Sequence, residues 1–202
     1  MYCFVAGCYW GTEKYFRTDF GNKNPGVIVN GQVGFMSPNP DSEKSPSYKE
    51  VCSGETGHVE VYKFEFQGDS RNYEALVRHF FQFHDPTTFN KQGNDKGTQY
   101  ASVIFCYDEL QATIAKKVIA ELQEHMDEQR LPPKTYSSVK ITTAVRITAE
   151  CSDFYPAHDE HQKYLEENPK GYCNHRIRFK AWPTTGEELA PMVTESSIAS
   201  RS

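Results

Sequence analysis

Apolar and polar positions along the chain recur with two periods, and the switches between them lay out a series of strands and helices. Tyr2-Cys3-Phe4-Val5-Ala6 is short and mostly apolar, which predicts a first strand. Thr12 to Phe20 predicts a helix, with Glu13 and Arg17 paired at i,i+4 and Gly21 closing it. Val27 to Phe35 predicts a second strand, in which Gly31 and Gly34 mark a turn or bulge. Ser37 to Ser47 is polar with three prolines, so it predicts an exposed loop ending at Tyr48. Val59 to Phe66 alternates: Val59, Val61, Lys63 and Glu65 face one way, and Glu60, Tyr62, Phe64 and Phe66 the other. Arg71 to Phe83 predicts an amphipathic helix capped by Ser70, its core face formed by Tyr73, Leu76, Val77, Phe80 and Phe81. Phe89 to Gln99 is too polar for a core and predicts a loop leading into a strand over Tyr100 to Tyr107. Asp108 caps a long helix reaching about Arg130, with Leu110, Ile114, Val118, Leu122 and Met126 at helical spacing. Pro132 and Pro133 end it, and the alternation from Val139 to Thr148 predicts a last strand. Asn168 to Gly171 is a turn, and from Pro183 the polar, aperiodic chain predicts a disordered tail. Strands and helices alternate without a strict βαβ rhythm. The expectation is one α+β domain over residues 1–182, a mixed sheet with helices packed on it, followed by a tail over 183–202.

Composition narrows the function classes. At 202 residues the chain can bury a core without metal or disulfide staples. A net charge of -5 argues against a nucleic-acid or anionic-membrane surface. No apolar run reaches the length of a membrane helix, and a cleavable leader is not expected ahead of a strand that begins at residue 2. The six cysteines form no C-x-x-C pair and no zinc-finger spacing, which predicts a cytoplasmic protein with reduced thiols. His158, Asp159 and His161 lack a cysteine at a matching interval, so no metal is expected there.

Candidate chemistry lies at Cys8, where a strand turns into a helix. Free backbone N–H groups and the positive dipole end there favour thiolate, and Tyr9 and Trp10 supply an aromatic wall. The alternative is a small structural cysteine in an apolar turn. Glu60 shares the aromatic face of its strand, which strips its hydration and favours the protonated acid; the alternative is a strand end in water beside His58. Read from the residues alone, Tyr48 covers a neighbouring core, Asp95 folds its own turn, and His84 meets the last carbonyls of its helix.

Gly7-Cys8-Tyr9-Trp10-Gly11-Thr12-Glu13 resembles the G-C-[FY]-W-G-x-E signature of the peptide methionine sulfoxide reductase A family. Thr56 to Glu60, His84 to Thr88, Gln92 to Tyr100 and Gly171 to Cys173 match further family segments in the same order. The resemblance implies a ferredoxin-like α/β sandwich and thiol-dependent reduction of the S epimer of methionine sulfoxide, free or in proteins. It implies Cys8 as nucleophile, Glu60 as proton donor, Tyr48, Asp95 and Tyr100 as the polar frame, and Tyr9 and Trp10 as the niche for the substrate methyl. Cys173, on a mobile segment, would resolve the Cys8 sulfenic acid, and a thioredoxin-type dithiol would regenerate a monomeric enzyme that needs no cofactor. The chain departs from the pattern at Gly34-Phe35-Met36-Ser37, where the family has G-Y and then a glycine pair. No cysteine follows Cys173, so a third-thiol relay is absent or uses Cys52, Cys106 or Cys151. Two other readings stay open: a Cys–His hydrolase with His58, His84 or His161 as base, and a non-catalytic binder of oxidised methionine.

Overall fold

A computed structural model describes residues 2–5 and 7–183. Its frame is β1 (Tyr2–Val5), α1 (Tyr9–Lys14), β2 (Ile28–Met36), β3 (Val59–Phe66), α3 (Ser70–Phe83) and β6 (Val103–Cys106). Between these lie α2 (Tyr48–Ser53) and a small hairpin of β4 (Lys91–Gln92) and β5 (Asp95–Lys96). After them come α4 (Glu109–Asp127), β7 (Ala144–Ile147), β8 (Tyr155–Pro156) and α5 (Tyr164–Glu167). The main sheet runs β7-β6-β1-β3-β2-β8, antiparallel throughout except for the parallel β6–β7 pair. Its central four strands, taken with α1 and α3, form the βαββαβ arrangement of the ferredoxin-like fold. The expected mixed α+β sheet is therefore observed.

The alternation of β3 is realised residue by residue. Tyr62 and Phe64 are fully buried under α1 and α3, and Phe16 packs 4.9 Å from Phe64 and edge-on to Phe83 at 5.4 Å. Val59 and Val61 join Met36, Val103 and Phe105 in a second cluster on the opposite face. Such aromatic pairs add about 0.5–1.5 kcal/mol each beyond their buried area, which explains a core built on phenylalanine.

Several boundaries differ from the pattern. The first helix begins at Tyr9, and its second half, Tyr15–Phe20, is π-wound, with His79 Nε2 meeting the Tyr15 carbonyl at 3.0 Å. Gly21 closes it as expected, in a right-handed conformation (φ -60), and Arg17 pairs with Glu166 at 2.7 Å where Glu13 was expected. The cap of α3 is Asp69, whose carboxylate accepts from Arg71 N; Ser70 is already helical. Leu110 is 62% exposed because the buried face of α4 runs through Ala112, Ala115, Val118 and Leu122, off its side of the helix. The expected strand over Val139 to Thr148 shrinks to Ala144–Ile147, since residues 137–142 spend their backbone donors on Asp85, Thr87, Gln123 and Pro86. The predicted tail, Pro183 apart, lies outside the described residues.

Candidate functional site

Cys8 is the N-cap of α1, in extended geometry (φ -69, ψ 123). The preceding Gly7 turns through φ +69, and a Cβ there would lie 2.2 Å from Gln92 Cβ, so backbone and space both require glycine. The N–H groups of Trp10 and Gly11 point at Cys8 Sγ, as the helix start predicts. Their lowering pull is outweighed. Burial first, and then the charge of Glu60 when ionised, push Cys8 well above the ordinary thiol value. The expectation of a resting thiolate is corrected: at neutral pH the sulfur carries its proton.

Glu60 is 2% exposed at the start of β3, opposite Phe35 in the ladder. Its Oε2 accepts the N–H of Tyr9 at 2.8 Å, which ties the carboxyl to the residue next to Cys8. Burial outweighs that bond and raises its pKa to about 8, so Glu60 is an acid at neutral pH.

The remaining predicted residues come from other elements. Tyr48 opens α2, which a capping box fixes: Glu50 N donates to Ser47 Oγ at 3.3 Å and Ser47 N to Glu50 Oε2 at 2.7 Å. Burial raises Tyr48 and Tyr100, with the charge of Glu60 adding to both, so both phenols keep their protons. Asp95 Oδ1 accepts from Tyr172 OH at 2.9 Å, and its buried Oδ2 has no protein partner. Tyr9 is almost fully buried against Phe35, and Trp10 is half-buried beside it. Cys173 lies one turn along α1 from Cys8: its Sγ is 3.0 Å from where a Gly11 Cβ would be. It is no free end. Around it, Tyr172 holds Asp95, Asn174 donates to Gln92 O, and the Arg176 and Arg178 amides bond Phe83 and Gln82 carbonyls.

Three residues, Tyr164 among them unforeseen and His161 and Cys52 foreseen only in other roles, join the site. His161 stacks 5.7 Å from Trp10 and sits 4.6 Å from Tyr48; Tyr164 stacks on Trp10 at 3.8 Å. Cys52 hydrogen-bonds the Tyr48 hydroxyl. A visible signal for the first two was the i,i+3 spacing of His161 and Tyr164 within a polar stretch. Of the histidines considered as bases, His58 bonds Thr56 O and His84 bonds Phe80 O and Ser102 Oγ, while His161 stays at the site against the rings of Trp10 and Tyr48. Among the described residues no group of three or more His, Cys, Asp or Glu is placed to hold a metal ion, and no helix is long and apolar enough to cross a membrane.

The arrangement is a protonated thiol and a protonated carboxyl side by side, under phenol donors and an aromatic wall. That combination suits a polar acceptor oxygen attached to an apolar group. The family model "Peptide methionine sulfoxide reductase" matches residues 1–189. The enzyme MsrA of Pasteurella multocida is 40% identical over 173 residues, 85% of this chain and 86% of that protein. Among solved structures, reduced Mxr1 of Saccharomyces cerevisiae superposes with a TM-score of 0.70 at 33% identity, covering 88% of this chain and 91% of that one. Methionine sulfoxide reductase A of Corynebacterium diphtheriae gives 0.68 at 33%, covering 85% and 76%. With its signature residues gathered at one sheet edge and these matches along nearly its whole length, the chain belongs to the peptide methionine sulfoxide reductase family.

Proposed function

We propose that Cys8 and Glu60 carry out the family's reaction on the S epimer of methionine sulfoxide, free or in proteins. The buried Glu60 acid tied to Tyr9 N–H at 2.8 Å carries this reading. Its proton goes to the sulfoxide oxygen, with Tyr48, Tyr100 and Asp95 framing that oxygen. Trp10, backed by Tyr9, takes the methyl group. The Cys8 proton replaces the one Glu60 has given up, and the sulfur attacks. One S–O bond breaks at the substrate and one forms at Cys8. Methionine leaves reduced, and Cys8 is left as sulfenic acid. Cys173 then displaces water from that acid, forming a disulfide that an external dithiol of the thioredoxin class reduces. The cytosol suits such a thiol cycle.

Anaerobic single turnover on the separated epimers of N-acetylmethionine sulfoxide tests this. Wild type should yield one equivalent of thioether from the S epimer without reductant and continuous turnover with dithiothreitol. Cys8→Ser should yield none. Product from the R epimer at equal rate, or from Cys8→Ser, would refute the assignment.

A further inference from the structure

Glu13 is buried, and the direct chemistry has no use for it. It sits on α1 and lines a separate cavity of about 380 Å³ with Gly31, Gln32, Lys63 and Gln162. Its Oε2 accepts the backbone N–H of Lys163 at 2.6 Å, 150 residues away in sequence. Lys163 is a left-handed non-glycine residue (φ 54, ψ 24) with an exposed side chain. A left-handed lysine is disfavoured by its Cβ and persists where its surroundings hold it. That bend joins the turn carrying His161 to α5, which begins at Tyr164. Both rings lie against Trp10, and His161 also against Tyr48. Gln162 pins the same stretch to β2, bonding Val33 N at 2.8 Å and Val33 O at 2.9 Å.

We infer that Glu13 is a positioning residue for substrate binding: by clasping the Lys163 amide it sets the bend that presses His161 and Tyr164 onto Trp10 and so shapes the aromatic wall. The clasp needs an acceptor oxygen at the full reach of a glutamyl side chain. It does not need the negative charge. The inference rests on the reading that Trp10 walls the sulfoxide site.

The test separates reach from charge. Glu13→Asp keeps the charge and loses one methylene of reach; Glu13→Gln keeps reach and an acceptor and loses the charge. With N-acetylmethionine sulfoxide and dithiothreitol, Glu13→Asp should raise KM about tenfold while kcat stays within about twofold, the signature of lost uniform binding. Glu13→Gln should keep KM within about twofold of wild type. Tyr164→Ala, which leaves Glu13 untouched, should raise KM similarly, and combining it with Glu13→Asp should add little. In a Trp182→Phe background, acrylamide should quench Trp10 more readily in Glu13→Asp and not in Glu13→Gln. Equal damage from both Glu13 variants, a wild-type KM in Glu13→Asp, or full additivity with Tyr164→Ala would overturn the inference. A wild type inert towards the sulfoxide would instead overturn the reading of the site.

Discussion

Two acids that become anions on losing a proton share one buried spot at Cys8 and Glu60, and that sharing governs the resting enzyme. Burial raises both, and the charge of Glu60, when ionised, raises Cys8 further. The pair therefore waits in its neutral form, which is the state the proposed proton transfer to a sulfoxide oxygen requires. Iodoacetamide should alkylate resting Cys8 slowly at neutral pH, with a midpoint above the free-thiol value of about 8.5. If Glu60 is the proton donor, kcat/KM should fall as pH rises through about 8, the value burial gives it. Glu60→Gln should remove that alkaline limb, cost on the order of 10²–10⁴ in rate, and lower the alkylation midpoint by removing a neighbouring charge. A midpoint below the free-thiol value, or an unmoved limb in the variant, would contradict the shared-proton picture. The sequence shows where the helix starts, and hence that donors face the sulfur. It does not show how deeply Cys8 is buried, because chain-distant groups crowd its two neighbours, Gln92 against Gly7 and Phe35 against Tyr9. The same strand phase that placed Glu60 among aromatics did foretell its protonation.

At the scale of elements, legibility followed the source of the order. β3 and α3 were readable because their own periodicity faces one core. Residues 139–143 were misread as strand because Ile141 N bonds the Gln123 side chain and Thr142 N the Pro86 carbonyl, which no local pattern reveals. The capping box Ser47–Glu50 was legible in principle, and with it the helix that presents Tyr48. The contact between α1 and residues 173–175 depends on a missing side chain. A Cβ at Gly11 would meet His175 Nδ1 at 2.2 Å, His175 Cγ at 2.8 Å and Cys173 Sγ at 3.0 Å. Gly11→Ala gains helix propensity worth roughly 0.8–1 kcal/mol. Forced repacking costs about 1–3 kcal/mol, so the clash should win. The expected outcome is a lower denaturant midpoint and faster amide exchange at Arg176 and Arg178, whose N–H groups bond Phe83 and Gln82 carbonyls. A variant as stable as wild type, with unchanged exchange, would show that the strip does not rest on this glycine.

The whole molecule explains why residues so far apart in sequence meet. In the strand order β6-β1-β3-β2, β1 ends and β6 begins at one edge, since Val5 pairs with Val103. β3 begins and β2 ends at that same edge, with Glu60 opposite Phe35. Cys8 follows β1, Tyr48 follows β2, Glu60 opens β3, and Asp95 and Tyr100 precede β6, so the topology alone delivers five positions to one rim. The chain from Tyr155 to Trp182 then returns across it, bringing His161, Tyr164 and Cys173. This return was the part the sequence hid, because its contacts are aromatic and non-periodic. It also sharpens the question of which thiol resolves Cys8, since Cys52 is held by Tyr48 at the site while Cys173 lies along α1. If Cys173 resolves, Cys173→Ser should still release one equivalent of thioether and trap Cys8 as a sulfenic acid that dimedone labels. Turnover with thioredoxin should collapse, because no internal disulfide forms for it to exchange with. Dithiothreitol should sustain part of the rate by attacking the sulfenic acid directly. Peptide mapping of oxidised wild type is decisive: a Cys8–Cys52 bond, with Cys173 still open to alkylation, would transfer the resolving role to α2.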